Sequence, residues 1–284
     1  MTVTRDPPPS LRDLLGFYAD AGVDEPLEDL PVDRFAQSAA AKAKLALPAQ
    51  ARAPEARASS RQMAGENNAG SVLQSQAAAI PDGAQVALAR EAAQSANSLD
   101  ALKNVMAAFE GCNLKLTAKN LVFADGNPDA DLMLVGEAPG RDEDLEGLPF
   151  VGRSGLLLDR ILAAIGRDRT SAYIANVIPW RPPGNRDPSP METEICRPFI
   201  ERQIELAAPK ILVALGNPST RLLLQTQAGI MRMRGNWGVH RTPSGLEIPT
   251  MPTLHPAYLL RNPAHKKLSW RDFLDVKMKL KDLG

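Results

Sequence analysis

The chain holds only two cysteines, Cys112 and Cys196, among 284 residues. Two thiols cannot build a disulfide framework, and in a reducing compartment they stay free. Nowhere does an apolar run approach the ~18 residues of a membrane span, and the N-terminus lacks the apolar core of a secretory leader. The expectation is a cytoplasmic protein with no membrane partner. No internal repeat is visible, so a solenoid is excluded. Net charge is also missing, since 33 Lys and Arg balance 33 Asp and Glu. Composition alone therefore gives no sign of nucleic acid. The balance is uneven along the chain, however: residues 256–284 carry seven basic against three acidic side chains. A basic end is where a polyanion is welcome.

What is present divides unequally. In residues 1–34, Leu11, Leu14, Leu15 and Tyr18 fall at helical spacing, an amphipathic segment suited either to docking on its own domain or to a protein partner. Residues 35–97 are rich in Ala, Pro and Ser and hold too few large apolar side chains to repay the entropy of ordering, which predicts a disordered linker. From Ser98 onward the signals become globular, giving a domain over 98–284.

In that domain helices and strands alternate. Helices are predicted over 98–110, with Ser98 as N-cap, over 154–166, from the capping box Ser189-Pro190-Met191-Glu192 to about 206, after Asn217-Pro218, and from about Ser269. Strands are predicted over 130–136, 172–179, 210–216 and 247–255. The alternation argues a parallel sheet covered on both faces, and such sheets bind ligands beyond the carboxyl ends of their strands. Three unusual segments sit at those ends: GEAPG (136–140), NVIPWRPPGNR (176–186) and LHPAYLLRNP (254–263).

Together with GLPFVGRSG (147–155) and ICRPF (195–199), these segments resemble the family 4 uracil-DNA glycosylases, in the family's order and spacing. The resemblance covers about residues 98–282. It implies a three-layer α/β/α sandwich around a central, mainly parallel four-stranded sheet, acting as a monomer on uracil-containing DNA. It also implies roles. Gly136 and the backbone of Ala138, Pro139 and Gly140 would approach a flipped base, presenting N–H groups to O2, and Phe150 would stack on it. Asn176 would read uracil O4 and N3–H, His255 would donate to O2 as the glycosidic bond breaks, and Glu143 would crowd C5 against thymine. Glu137 is the nearest acid in the first motif, where the attacking water needs a partner that Ala138 cannot supply. Asp142, Asp144 and Glu146 read as a solvated acidic loop, and His240 and His265 as surface residues. Leu259 or Leu260 would wedge into the duplex, with Arg181, Arg186, Arg261, Lys266 and Lys267 on phosphates.

The chain departs from the family in one respect. Family 4 enzymes usually carry a [4Fe–4S] cluster on four cysteines. Cys112 and Cys196 match two of these positions, but Phe109 and Trp180 replace the other two. The expectation is no cofactor, with the two aromatics packed where the cluster would sit. Two alternatives to a uracil-DNA glycosylase stay open at this point: a DNA-binding relative with changed base specificity or lost activity, and a repair scaffold recruited through its N-terminal segment.

Overall fold

A computed structural model describes residues 82–283. The calls on residues 1–34 and on 35–81 lie outside that range. The linker reading fails at its end: Asp82–Ser95 forms a helix, α1, whose Ala89 and Ala93 are buried. Small side chains had made this stretch look unable to pack, yet they are what lets a helix lie close against a neighbour. Helix α2 follows (Leu99–Ala108), its first turn closed by Ala101 N–H donating to Ser98 Oγ at 3.1 Å.

Six strands form one sheet. They are β1 (Asp125–Gly126), β2 (Leu132–Gly136), β3 (Tyr173–Asn176), β4 (Ile211–Leu215), β5 (Gly238–Arg241) and β6 (Glu247–Thr253), in the spatial order β1-β3-β2-β4-β6-β5. The inner four pair in parallel, as the sequence predicts, while β1 and β5 are antiparallel additions at the two edges. Neither edge strand has a continuous apolar run, and Val239 on β5 is exposed, so periodicity did not reveal them.

Between the strands run α3 (Arg141–Glu146), α4 (Arg153–Ala164), α5 (Pro190–Ala207), α6 (Asn217–Leu223) and α7 (Ile230–Met233), and after β6 follow α8 (Pro256–Arg261) and α9 (Lys266–Asp282). The Ser189 capping box of α5 is present, with Ser189 N–H donating to Glu192 Oε2 at 2.7 Å and Glu192 N–H to Ser189 Oγ at 3.2 Å. Helix α6 is capped one residue earlier than expected, at Gly216, which takes a φ of 94°.

The period-two alternation of β2 sorts the core into two layers. Met133 and Val135 face Leu102, Met106, Phe199 and Ile204 of α2 and α5. Leu132 and Leu134 face Leu158, Leu162, Phe273 and Val276 of α4 and α9. Helices on both faces of a central sheet make the three-layer sandwich, with the four-stranded parallel sheet at its centre widened to six by the edges. His240 is a correction: it is buried on β5, its Nδ1 2.9 Å from Leu223 O, and burial lowers its pKa.

Candidate active site

Because β2, β3, β4 and β6 are parallel, their carboxyl ends open on one side. There the loops after β2, β3 and β6 enclose a cavity of about 370 Å³. Glu137, Ala138, Pro139, Gly140, Glu143, Phe150, Asn176, Arg186, His255 and Arg261 all line it. The three quoted strand-end segments thus meet at one place.

Its floor is set by a missing atom. Gly136 and Asn176 are partners across the β2–β3 ladder, and a Cβ on Gly136 would lie 2.4 Å from Asn176 Oδ1 and 2.7 Å from the Phe150 ring. Only glycine lets the amide and the ring close over the strand end. Asn176 is buried, and its Oδ1 has no hydrogen-bond partner among the described residues. Leaving such an acceptor unpaired costs ~1–3 kcal/mol, so this atom is set for a donor from outside the fold.

Phe150 is buried and has a φ of 55°, the left-handed region that a bulky residue enters only under constraint. Its ring stacks near His255, with centroids 5.5 Å apart and planes 29° from parallel. His255 is the N-cap of α8, and its Nδ1 accepts from Ala257 N–H at 3.1 Å. An accepting Nδ1 puts the ring proton on Nε2. Burial, with Arg261 adding to it, lowers the His255 pKa to about 4, so near neutral pH the ring is an uncharged N–H donor. Gly216 makes room for it, since a Cβ there would come within 3.1 Å of His255 Cβ.

In the first motif, Pro139 has no N–H and Gly140 N–H donates to Glu143 Oε2 at 3.1 Å. Of the three backbone groups expected to face a base, Ala138 N–H is the one without a protein acceptor among the described residues. The second oxygen of Glu143 accepts from Gly152 N–H at 3.1 Å, so this carboxylate ties the turn before α3 to the turn before α4. Burial and the charge of Asp187 raise the pKa of Glu137. The acidic-loop reading fails for Asp144, which is buried and accepts from Lys119 N–H at 2.8 Å and Asn120 N–H at 3.2 Å.

The residues expected to meet DNA separate into two sets. Arg181 donates to Asn185 Oδ1 at 2.7 Å, and Arg186 holds Glu192 at 2.6 and 2.9 Å; both guanidiniums are engaged within the protein. Arg261, Lys266 and Lys267 are exposed on the segment after His255. Leu259 is a correction: at 1% exposure it belongs to the core and cannot reach a duplex. Its neighbour Leu260 is half-buried. Asp187 and Tyr258 also line the cavity and were not anticipated, although Asp187 directly follows the RPPGNR segment and Tyr258 lies within HPAYLLRNP. His265 is half-buried, its Nδ1 2.8 Å from Tyr258 Oη.

Away from the cavity, Cys112 and Cys196 are buried with their sulfurs 4.0 Å apart. Their mutual hydrogen bond lowers the Cys112 pKa and raises that of Cys196. Trp180 is 2% exposed in the same half of the core. Phe109 packs against that core and meets Phe199 edge-on, centroids 5.0 Å apart. A four-iron cluster is held by four thiolates, and two sulfurs among packed aromatic side chains do not fit it.

A family model for the uracil DNA glycosylase superfamily matches residues 123–274. The type-4 uracil-DNA glycosylase of Sulfurisphaera tokodaii is 39% identical over 186 residues, covering 64% of this chain and 84% of that protein. That of Archaeoglobus fulgidus is 39% identical over 184 residues, 63% of this chain and 92% of the relative. That of Thermotoga maritima is 41% identical over 155 residues, 53% and 77% respectively.

Proposed function

Because this chain belongs to the uracil DNA glycosylase superfamily, in its type-4 branch, we propose that it is a uracil-DNA glycosylase whose strand-end cavity receives uracil flipped out of DNA. The observation that carries this reading is the buried, unpartnered Oδ1 of Asn176 beside Phe150. Uracil presents a donor at N3 and an acceptor at O4, which one amide satisfies with Oδ1 and Nδ2. Cytosine presents a bare N3 and an amino group, so the same amide meets it with both pairings wrong. A flipped base is read by stacking and by its hydrogen-bonding edge, and Phe150 and Asn176 supply these two contacts.

The chemistry is hydrolysis. As the N1–C1′ bond breaks, its electron pair passes to uracil and is shared with O2, while the sugar becomes cationic. Neutral His255, through Nε2–H, and Ala138 N–H donate to O2. Donors aimed at charge that develops only in the transition state each contribute ~10²–10³ in rate. Water then bonds to C1′ and gives up a proton, and the uracil anion takes one up at N1, leaving free uracil and an abasic sugar. Glu137 and Asp187, which line the cavity, would hold the water and favour the cationic sugar. Glu143, pinned by two backbone N–H groups, is the rigid side chain we place against C5.

DNA is the partner, with Arg261, Lys266 and Lys267 on phosphates and Leu260 at the vacated stack. We read the domain as a monomer and as cluster-free, the latter reading supported by the thiol pair and by the packing of Phe109 and Trp180. Among the described residues no helix is long and apolar enough to cross a membrane. The test is release of free base from oligonucleotides carrying single uracil, hypoxanthine or mismatched thymine. Uracil release alone supports the proposal, and its absence with an active hypoxanthine arm would transfer the site to another base.

A further inference from the structure

We infer that Arg169, in the loop between α4 and β3, is a positioning residue that holds the Phe150 ring at the cavity wall. The inference rests on the reading of that cavity as a uracil site. Arg169 does not line the cavity. Its guanidinium instead donates from Nη2 to Phe150 O at 2.5 Å and from Nη1 to Pro149 O at 3.2 Å. Two carboxylates from different elements aim it. Asp125 on β1 takes Nη1 at 2.5 Å, and Asp159 on α4 takes Nε at 2.9 Å.

The need for this arrangement lies in the backbone of Phe150. A left-handed φ at an aromatic residue persists only where its surroundings over-determine it. On one side Phe150 O presses against Gly155, where an added Cβ would sit 1.6 Å from that oxygen. On the other side the same oxygen is grasped by Arg169. Released from either, φ relaxes toward negative values, and the ring leaves its place beside Asn176 and His255. Lysine cannot substitute, because one ammonium lacks the planar fork that reaches two carbonyls and two carboxylates together. The edge strand β1 acquires a purpose from this geometry, since it carries Asp125.

Single-turnover excision from a uracil-containing oligonucleotide, with enzyme in excess, tests the inference in a cycle of Arg169→Lys and Phe150→Leu. Affinity for DNA carrying 2′-fluorodeoxyuridine and the melting temperature are measured on every variant. A displaced stacking ring should slow excision by Arg169→Lys by ~10-fold or more, as misplacement near 1 Å does, while affinity stays within about three-fold. In the Phe150→Leu background the same substitution should change the rate by less than about two-fold, because the residue it acts through is gone. Asp125→Asn, which loosens the guanidinium but leaves it in place, should show a smaller loss that likewise vanishes there. Should Arg169→Lys fail to fold, this second variant decides by the same criteria. Wild-type excision by the folded variants, or an equal loss in both backgrounds, would overturn the inference. A wild-type protein that releases no uracil would instead overturn the functional reading beneath it.

Discussion

Acidification tests the protonation state on which the site depends. His255 titrates at about 4 in the folded protein because burial, and then the Arg261 charge, disfavour the imidazolium. An unfolded histidine titrates at ~6.5. The folded value is the lower one, so between the two the unfolded chain binds more protons, and stability falls as pH drops through that window. Below about pH 4 the folded ring is protonated too and the loss levels off. Applied between pH 7.5 and pH 5, linkage assigns to this one group a loss of up to about 2 kcal/mol. Urea unfolding of the wild type and of His255→Ala at both pH values isolates it: the wild type should lose up to about 2 kcal/mol more than the variant. Over the same range His255 remains in its N–H donor form, so its titration should put no inflection near pH 6.5 in the single-turnover rate. Equal acid sensitivity of the two proteins, with a wild-type inflection near 6.5, would refute the neutral-donor reasoning.

Four further outcomes are expected. Asn176→Asp turns the Nδ2 donor into an acceptor and should lower uracil excision by at least ~10²; a near-wild-type rate would remove Asn176 from base reading. Gly136→Ala places a methyl 2.4 Å from Asn176 Oδ1 and 2.7 Å from the Phe150 ring, and should abolish excision while circular dichroism stays native. Trp180→Ala should cost ~3–5 kcal/mol in chemical unfolding, as loss of a large buried aromatic does, with Cys112→Ser costing far less. Iron analysis of anaerobically purified protein should find none, whereas close to four irons per chain would mean that ligands other than Cys112 and Cys196 complete a cluster.

How much of this was legible beforehand depended on whether the signal was local. Parallel inner strands such as Leu132–Gly136 are buried on both faces and read as unbroken apolar runs, so the sheet core emerged directly. Gly136, Phe150, Asn176 and His255, which lie together at the cavity, were singled out by the resemblance of their segments to family 4 uracil-DNA glycosylases and not by any local pattern of their own. Asp125–Gly126 and Gly238–Arg241 escaped because an edge strand needs only one buried side. Asp82–Ser95 escaped because alanine packs by closeness rather than by area. Leu259 and Leu260 could not be ranked, since one residue of rotation on a short helix separates core from surface. Arg169 carried no signal at all: its importance comes from two carbonyls 19 and 20 positions away.

The assembly of the cavity from the ends of parallel strands also bears on folding. Residues 136–150, 176–188 and 255–261 meet only after β2, β3, β4 and β6 have paired, and each parallel pairing must first close a long crossover. Asn176 meets Gly136 only once β2 and β3 have paired, and His255 meets Gly216 only once β4 and β6 have paired. Base recognition therefore appears at the end of folding and is lost at the first global opening. The amides of residues 136, 176 and 216 should exchange with solvent only through complete unfolding, and a partly folded chain emerging from synthesis can attack no base in the genome.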